Sequence, residues 1–414
     1  MVAKLKAAAA NPVNPTFNHY MFETIAALVK NVCSVHSSAL AAFDSTLCPL
    51  VREILDQDVA EFAPYGFQLL AQLLDLHKTT GTKVPPDYLA MLPPLLMPVF
   101  WERPGYVPAL TPLIVGFMHT AGEHIVANEQ VRRHSPALCQ DVELSARLVW
   151  AEQIQPVLGV FQKLIASKAN DHHGFALITG MMRSLPLAAI QPYLATVFQL
   201  LFQRLSSLKT HKFVRGFIGF MSVVVCSHGA AQLFELVNAV QPNIMMMVLD
   251  QVWLPGLGGI NGRVERKVAA VALIKLVCDC PALRDPVHLA QWNKAAANIV
   301  PLLESVGQEE DADENDGAYP VLVAHRGNTK LILLRVTELE DLSGHTAFSR
   351  LQNASVSKDD PAHDVADARQ LFAQSLQALS QASGGSLRTQ LASAVGPENM
   401  PRIEQYCTQH SCVL

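Results

Sequence analysis

Four groups of residues in this chain have types and spacings that invite a chemical reading. His172 and His173 directly follow Asp171, a trio with the parts of a metal ligand set or a general base. Neighbouring residues on a helix diverge by about 100°, so two adjacent imidazoles do not converge on one ion, and the trio reads as the first turn of a helix. Cys278 and Cys280 flank Asp279. Zinc-binding cysteines are separated by about two to four residues and need a second pair of ligands, so these two read as buried thiols at a helix end. Gly256, Gly258, Gly259 and Gly262 make a glycine-rich loop ahead of a helix that begins near Arg263. A phosphate cradle also needs a strand feeding the loop and, in the P-loop, a Lys-Ser or Lys-Thr pair. Both are missing, and the loop reads as a connection between helices. No G-x-S-x-G elbow is present. The sequence therefore predicts a protein that is not an enzyme, with no catalytic, cofactor-binding or metal-binding residues.

The fourth group is basic. Arg204, Lys209, Lys212 and Arg215 gather around one inter-helix turn, and Arg263, Arg266 and Lys267 gather where the next repeat starts. Solvated helix ends account for such residues by default. If successive repeats bring both groups to the same rim, they form a ladder that can meet acidic patches on a protein partner. These seven are the candidate partner-binding residues.

The elements that would have to position them are helices. Half of the 414 residues are hydrophobic but only 7% are aromatic, and alternating strand patterns are nearly absent. Val160, Leu164 and Ile165 fall on one helical face, and Leu194, Val197, Phe198, Leu201 and Leu205 repeat the spacing of a single apolar stripe. Turn signals divide the stripes, with Asn170-Asp171 able to cap a helix start and Pro186 and Pro192 restarting helices. Helix-pair starts are expected at Thr16, Val59, Tyr106, Asp171, Lys209 and Arg263. That spacing of roughly 40 to 50 residues matches HEAT or armadillo repeats, whose pairs bury their apolar faces only by stacking.

The expected architecture is all-α, a right-handed superhelical solenoid of HEAT-type helix pairs over 16–305, after a flexible N-terminus at 1–15. Segment 131–150 is atypical, because its apolar residues fit no continuous stripe. Residues 306–361 hold the acidic run QEEDADENDG and an irregular segment, in which 331–336 has strand-like composition without an evident partner. C-terminal helices are expected over 362–414, one at 362–382 and a short one at 401–410. The net charge of −5 gives no basis for nucleic-acid binding and suits a basic protein partner. The longest apolar run, 216–226, is about half of what a bilayer span requires, so membrane insertion is not expected. Eight cysteines scattered through apolar runs point to a reducing compartment.

Several stretches are specific enough to carry a resemblance: NPVNPTFNHYMFETI, EFAPYGFQLLAQLLDLHK, FWERPGYVPAL, LGVFQKLIASKANDHHGF, LFQRLSSLKTHKFVRGF and GRVERKVAAVALIKLV. They resemble the C-terminal half of the exportin-2 (CAS) family, a branch of the importin-beta-type karyopherins. The likeness covers most of 11–303 and resumes at TAFSRL and at HDVADARQLFAQSLQALS. It implies a HEAT solenoid that binds importin-alpha together with Ran-GTP in the nucleus and releases both in the cytoplasm, with nuclear pore proteins as further partners. It also implies shuttling between nucleus and cytoplasm, with presence at the nuclear envelope. The family region that carries the main Ran contact lies outside this stretch. A HEAT-repeat scaffold that assembles a multiprotein complex without transport is the competing expectation.

Overall fold

The structure is a computed structural model that describes residues 14–134, 142–306, 318–325, 328–335, 349–357, 360–382 and 387–414. The expected flexible stretch 1–15 lies outside these except for its last two residues, and the acidic run at 308–317 lies outside them entirely. The chain forms two compact units, one of residues 1–190 with 317–358, the other of residues 191–316 with 359–414.

In the first unit, helix α1 (Pro15–Val35) is capped by Asn14, whose side chain accepts from the N–H of Phe17. It buries Met21, Phe22, Ile25, Ala26, Val29 and Cys33, the single stripe that a period of 3.6 residues produces. Helix α2 (Leu40–Asp56) and helix α3 (Ala63–Thr80) follow, and α3 stops at Gly81, which takes the left-handed conformation (φ 65°) that a C-cap glycine adopts at little steric cost. Lining α3 on nearly all sides, α1, α2 and helix α5 (Val107–His134) leave it almost wholly buried. Helix α4 (Pro86–Leu95) is short. Pro93, Pro94 and Pro98 lack the N–H that would continue it, and a 3-10 turn covers Pro98–Glu102 instead. Helix α6 (Val142–Ala166) and helix α7 (Asp171–Ser184) pack on each other, and α5 packs on α7. Asn170 precedes α7 as expected, but its side chain makes no capping hydrogen bond. The backbone of the atypical segment is helical at 131–134 and 142–150, where it extends α5 and α6; 135–141 lies outside the described residues.

Helix α8 (Leu187–Ser207) enters the second unit at residue 191. There Phe198 and Phe202 set their rings against Phe220 and Phe217 of helix α9 (His211–His228), 5.8 and 6.1 Å between centroids. Helix α10 (Ala230–Asn238) leads through a short helical turn and a π turn at Leu249–Trp253 to helix α11 (Arg263–Asp279). The central helix of this unit is α11, which packs on α9, on helix α12 (Leu289–Val306) and on helix α13 (Ala368–Ala382). Ten of its residues in succession, Val268 to Cys278 apart from Lys275, are buried, which explains why no single apolar stripe marks it. Helix α14 (Leu387–Gln409) closes the unit, with a break at Gly396 (φ 78°) ahead of Pro397. The C-terminal helices thus begin at Ala368 rather than 362, and the last is longer than the expected 401–410. Asp367 explains the later start, since its carboxylate accepts from the N–H of Arg369.

The described chain is all-helical apart from one hairpin. Strand β1 (Ala318–His325) pairs antiparallel with β2 (Asn328–Arg335), from Ala318 opposite Arg335 to His325 opposite Asn328. The strand-like run near Leu331 therefore does have a partner, the stretch immediately before it, whose Val and Leu content suits a pleated surface.

Candidate functional site

Both basic groups lie in the second unit, at the N-terminal ends of α9 and α11. Thr210 caps α9, its hydroxyl accepting from the N–H of Phe213 at 3.1 Å. At the corresponding end of α11, Gly262 occupies the cap position at φ 88°, a conformation that favours glycine. Arg215 joins the two ends: its guanidinium donates to the Glu265 carboxylate at 2.6 Å and to the Asn261 carbonyl at 3.3 Å. The structure thus brings the two sequence clusters to one rim.

The seven residues do not play one role. Arg204 is buried, 8% exposed, with its guanidinium 5.2 Å from the Phe213 ring and donating to the carbonyl of Leu208. It closes the turn between α8 and α9. Arg266 spans the carbonyls of Ile260 and Ser305, at 3.0 and 3.1 Å, and so ties the entry of α11 to the end of α12. Lys267 pairs with Asp360 at 2.5 Å, fixing the approach to α13. Lys209, Lys212 and Arg263 are exposed, with the Lys209 ammonium donating to the Gln251 carbonyl at 3.1 Å. Three of these cations, Lys212, Arg263 and Arg266, sit in the first turn or so of a helix, where the macrodipole is positive and anions are favoured. Position therefore adds to side-chain charge at this rim.

Packing accounts for the residues whose types suggested chemistry. Cys278 and Cys280 are buried, and burial raises both thiols above their ordinary value and keeps them protonated. Gly256 lies so close to α9 that a Cβ there would sit 2.5 Å from Ile218 and 2.8 Å from Val214, so this glycine serves packing. The rings of His172 and His173 lie against each other at a tilt of 38°, with centroids 3.9 Å apart. Of the three consecutive methionines, Met245 is buried and fills the core while Met247 is 48% exposed. Among the described residues, no group of three His, Cys, Asp or Glu side chains could hold a metal ion, and no helix is long and apolar enough to cross a membrane.

Two polar constellations escape a reading of the sequence. In the first unit, the segment 349–357, which turns at 352–354, is held on α1 and α3 by four side chains. Gln68 receives the Leu351 N–H at 2.8 Å and donates to the Ser349 carbonyl at 3.1 Å. Gln72 donates to the Asn353 carbonyl at 2.9 Å, and Glu23 accepts from the N–H groups of Gln352 and Asn353 at 2.9 and 2.8 Å. Asp75 accepts from both the N–H and the hydroxyl of Ser357, at 3.1 and 2.7 Å. Leu351 and Ala354 point inward and are buried. In the second unit, Glu304 of α12 accepts from the Tyr406 hydroxyl at 2.5 Å and pairs with Arg369 and Arg402 at 3.2 and 3.5 Å, clamping α13 and α14.

Known proteins are similar to this chain in sequence and in fold. The family model described as "CAS/CSE protein, C-terminus" matches residues 1–134 and 142–406. Exportin-2 of Oreochromis niloticus is 34% identical over 405 residues, which cover 97% of this chain and 37% of the relative. Exportin-2 of Drosophila melanogaster is 35% identical over 401 residues, with coverages of 97% and 37%. Human exportin-2 is 33% identical over 416 residues, covering all of this chain and 38% of the relative. The chain thus spans little more than a third of the length of these relatives. Among solved structures, that of the exportin Cse1 in its cargo-free, cytoplasmic state is similar in fold, with a TM-score of 0.74 at 22% identity, covering 98% of this chain and 37% of that one. The family model passes through most of the atypical segment and is interrupted only at 135–141.

Proposed function

The chain belongs to the CAS/CSE protein family, and from that membership we propose that it is the C-terminal part of a karyopherin-type nuclear export receptor. In this reading it binds importin-alpha together with Ran-GTP and returns importin-alpha from nucleus to cytoplasm, shuttling between the two and passing the nuclear envelope. Its work is binding, with no covalent step. The observation that carries the reading is sustained identity to proteins named exportin-2 along nearly the whole chain.

The basic rim supports it with a mechanism. Lys209, Lys212 and Arg263 present three exposed cations on the positive ends of two adjacent helices, so an acidic surface of importin-alpha or Ran is the complement expected there. Arg204, Arg215, Arg266 and Lys267 act behind them, since each is committed to an internal contact that fixes the rim. The two ligands favour each other if both bind one arrangement of the helix pairs, because each then stabilises the state the other needs. Nuclear pore proteins would meet other surfaces during passage.

The test is retention of purified importin-alpha on this chain, alone and joined to the remaining length of a relative, with and without GTP-loaded Ran. Retention that rises with Ran-GTP in the joined protein is expected. No retention in either arrangement, from samples with full helical circular dichroism, would replace export by a scaffold role.

A further inference from the structure

We propose that Cys407 and Cys412, at the C-terminal end of α14, are a redox-sensitive pair that closes to a disulfide by exchange with a small-molecule disulfide and so locks the last turn of that helix. The backbone sets the two side by side. The Cys412 N–H donates to the Cys407 carbonyl at 2.8 Å, and the Ser411 N–H donates to the Thr408 carbonyl at 3.3 Å. Between them Ser411 takes the left-handed conformation, φ 55°. These are the three marks of a helix stop in which the chain doubles back and brings the first and sixth residues together. Because the Cys407 oxygen and the Cys412 nitrogen are 2.8 Å apart, their Cα positions are closely bounded. With about 2.4 Å from a Cα to its own carbonyl oxygen and about 1.5 Å from N to Cα, the separation is at most about 6.7 Å, inside the range of about 4.4–6.8 Å that a disulfide spans.

Their surroundings divide the work. Cys412 is partly exposed and open to a small molecule, while Cys407 is 5% exposed, its thiol raised by burial and then by the neighbouring Cys412 sulfur. The Cys412 thiol has only a weak contact to give up, with the His410 carbonyl at 3.5 Å, and a turn about its Cα–Cβ bond frees it. In the first exchange the Cys412 thiolate attacks one sulfur of oxidised glutathione, the S–S bond of that molecule breaks, and one glutathione leaves. In the second the Cys407 thiol attacks the Cys412 sulfur, and its proton leaves with the other glutathione. Two protein thiols are thereby oxidised and one small disulfide is reduced to two thiols. In a reducing compartment the pair stands open, and it closes as the proportion of oxidised small thiols rises. Closure fixes the turn next to Tyr406, whose hydroxyl already ties α14 to Glu304.

The purified full chain is incubated with oxidised glutathione, free thiols are capped with N-ethylmaleimide, and peptides are mapped by mass. No Lys or Arg follows Arg402, so trypsin releases both cysteines in one peptide, 403–414. That peptide should appear uncapped and lighter by two hydrogens, and in Cys407→Ser glutathione should stay on Cys412. Amide exchange at Cys412 should slow about tenfold or more in the closed chain, since a crosslink over so short a loop holds the turn when it would fray. Ser411 is exposed, so Ser411→Val leaves the fold intact, yet a β-branched residue resists positive φ, and closure should be about fivefold slower. Capping of both thiols after the incubation overturns the proposal, and so does glutathione that persists on Cys412 of the parent chain. An unchanged closure rate in Ser411→Val overturns it too, because a frayed tail rather than this turn would then bring the sulfurs together.

Discussion

Replacing Asp44 with alanine tests whether a buried polar network holds three helices of the first unit together. Asp44 on α2 is 5% exposed, and its two oxygens serve two different helices: Oδ2 meets Nε2 of His77 on α3 at 3.0 Å, and Oδ1 accepts from the Tyr88 hydroxyl on α4 at 2.7 Å. The far side of His77 is held by Thr82 at 2.8 Å. Tyr88 is fully buried, so without Asp44 its hydroxyl has no water to turn to and keeps only the Cys48 sulfur, a weak acceptor. One orphaned buried donor costs about 1–3 kcal/mol, and two together with a void put Asp44→Ala at roughly 3–5 kcal/mol, the range for breaking a buried pair. Tyr88→Phe removes a donor but leaves Asp44 with His77, so about 1–1.5 kcal/mol is expected. The double variant should cost less than the sum of the singles by about 1–2 kcal/mol, because Tyr88→Phe removes the very donor that Asp44→Ala strands. Urea denaturation, with amide exchange of α2 and α3 reporting on this unit, measures all three. Asp44→Ala within about 0.5 kcal/mol of the parent, or strict additivity in the double variant, would refute the reasoning.

Three further outcomes are expected from the same structure. Reversing the exposed rim cations in Lys209→Glu, Lys212→Glu and Arg263→Glu together should weaken partner binding roughly a hundredfold, taking about 1 kcal/mol for each lost charge pair; the loss should shrink in high salt while helical content is retained, and unchanged affinity in a binding titration would move the interface elsewhere. Gly256→Ala should destabilise the second unit by about 1–3 kcal/mol, because the added methyl meets Ile218 and Val214 of α9, and a thermal melt checks it. Burial pushes the Cys48 thiol up to about 11 and the Cys226 thiol up to about 12. Unfolded thiols ionise near pH 9 while these keep their protons, so stability is intact below pH 9 and falls above it, by about 1.4 kcal/mol per pH unit for the well-buried Cys48. The alkaline limb of a stability–pH curve should be shallower in Cys48→Ala.

The helices were legible because burial on one side leaves a period in the sequence, as in α1, and because Asn14, Gly81 and Gly262 mark ends by their chemistry. Where burial is all round, as in α11, the period fades and only length and context identify the helix. The two basic groups were legible as groups, and their meeting at one rim rests on Arg215 and Glu265, whose pairing leaves no local pattern. Their division of labour was not legible, since Arg204 and Lys209 look alike in sequence although one is buried under Phe213 and the other exposed. Glu304 and the side chains that hold 349–357 left no signal either, because a single carboxylate or glutamine is recognisable only through partners far along the chain.

That distance carries a consequence in time. Gln68 meets Ser349, and Gln72 meets Asn353, across 281 residues of sequence. At a synthesis rate of about 5–20 residues per second, the amides of α3 wait roughly 15 to 55 s after they are made before the segment that satisfies them exists. Throughout that interval the nascent first unit carries an open polar seam beside Leu69 and Leu73, and a chaperone bound there would leave only when Leu351 arrives. The first unit therefore begins to form well before the segment that completes it has been made.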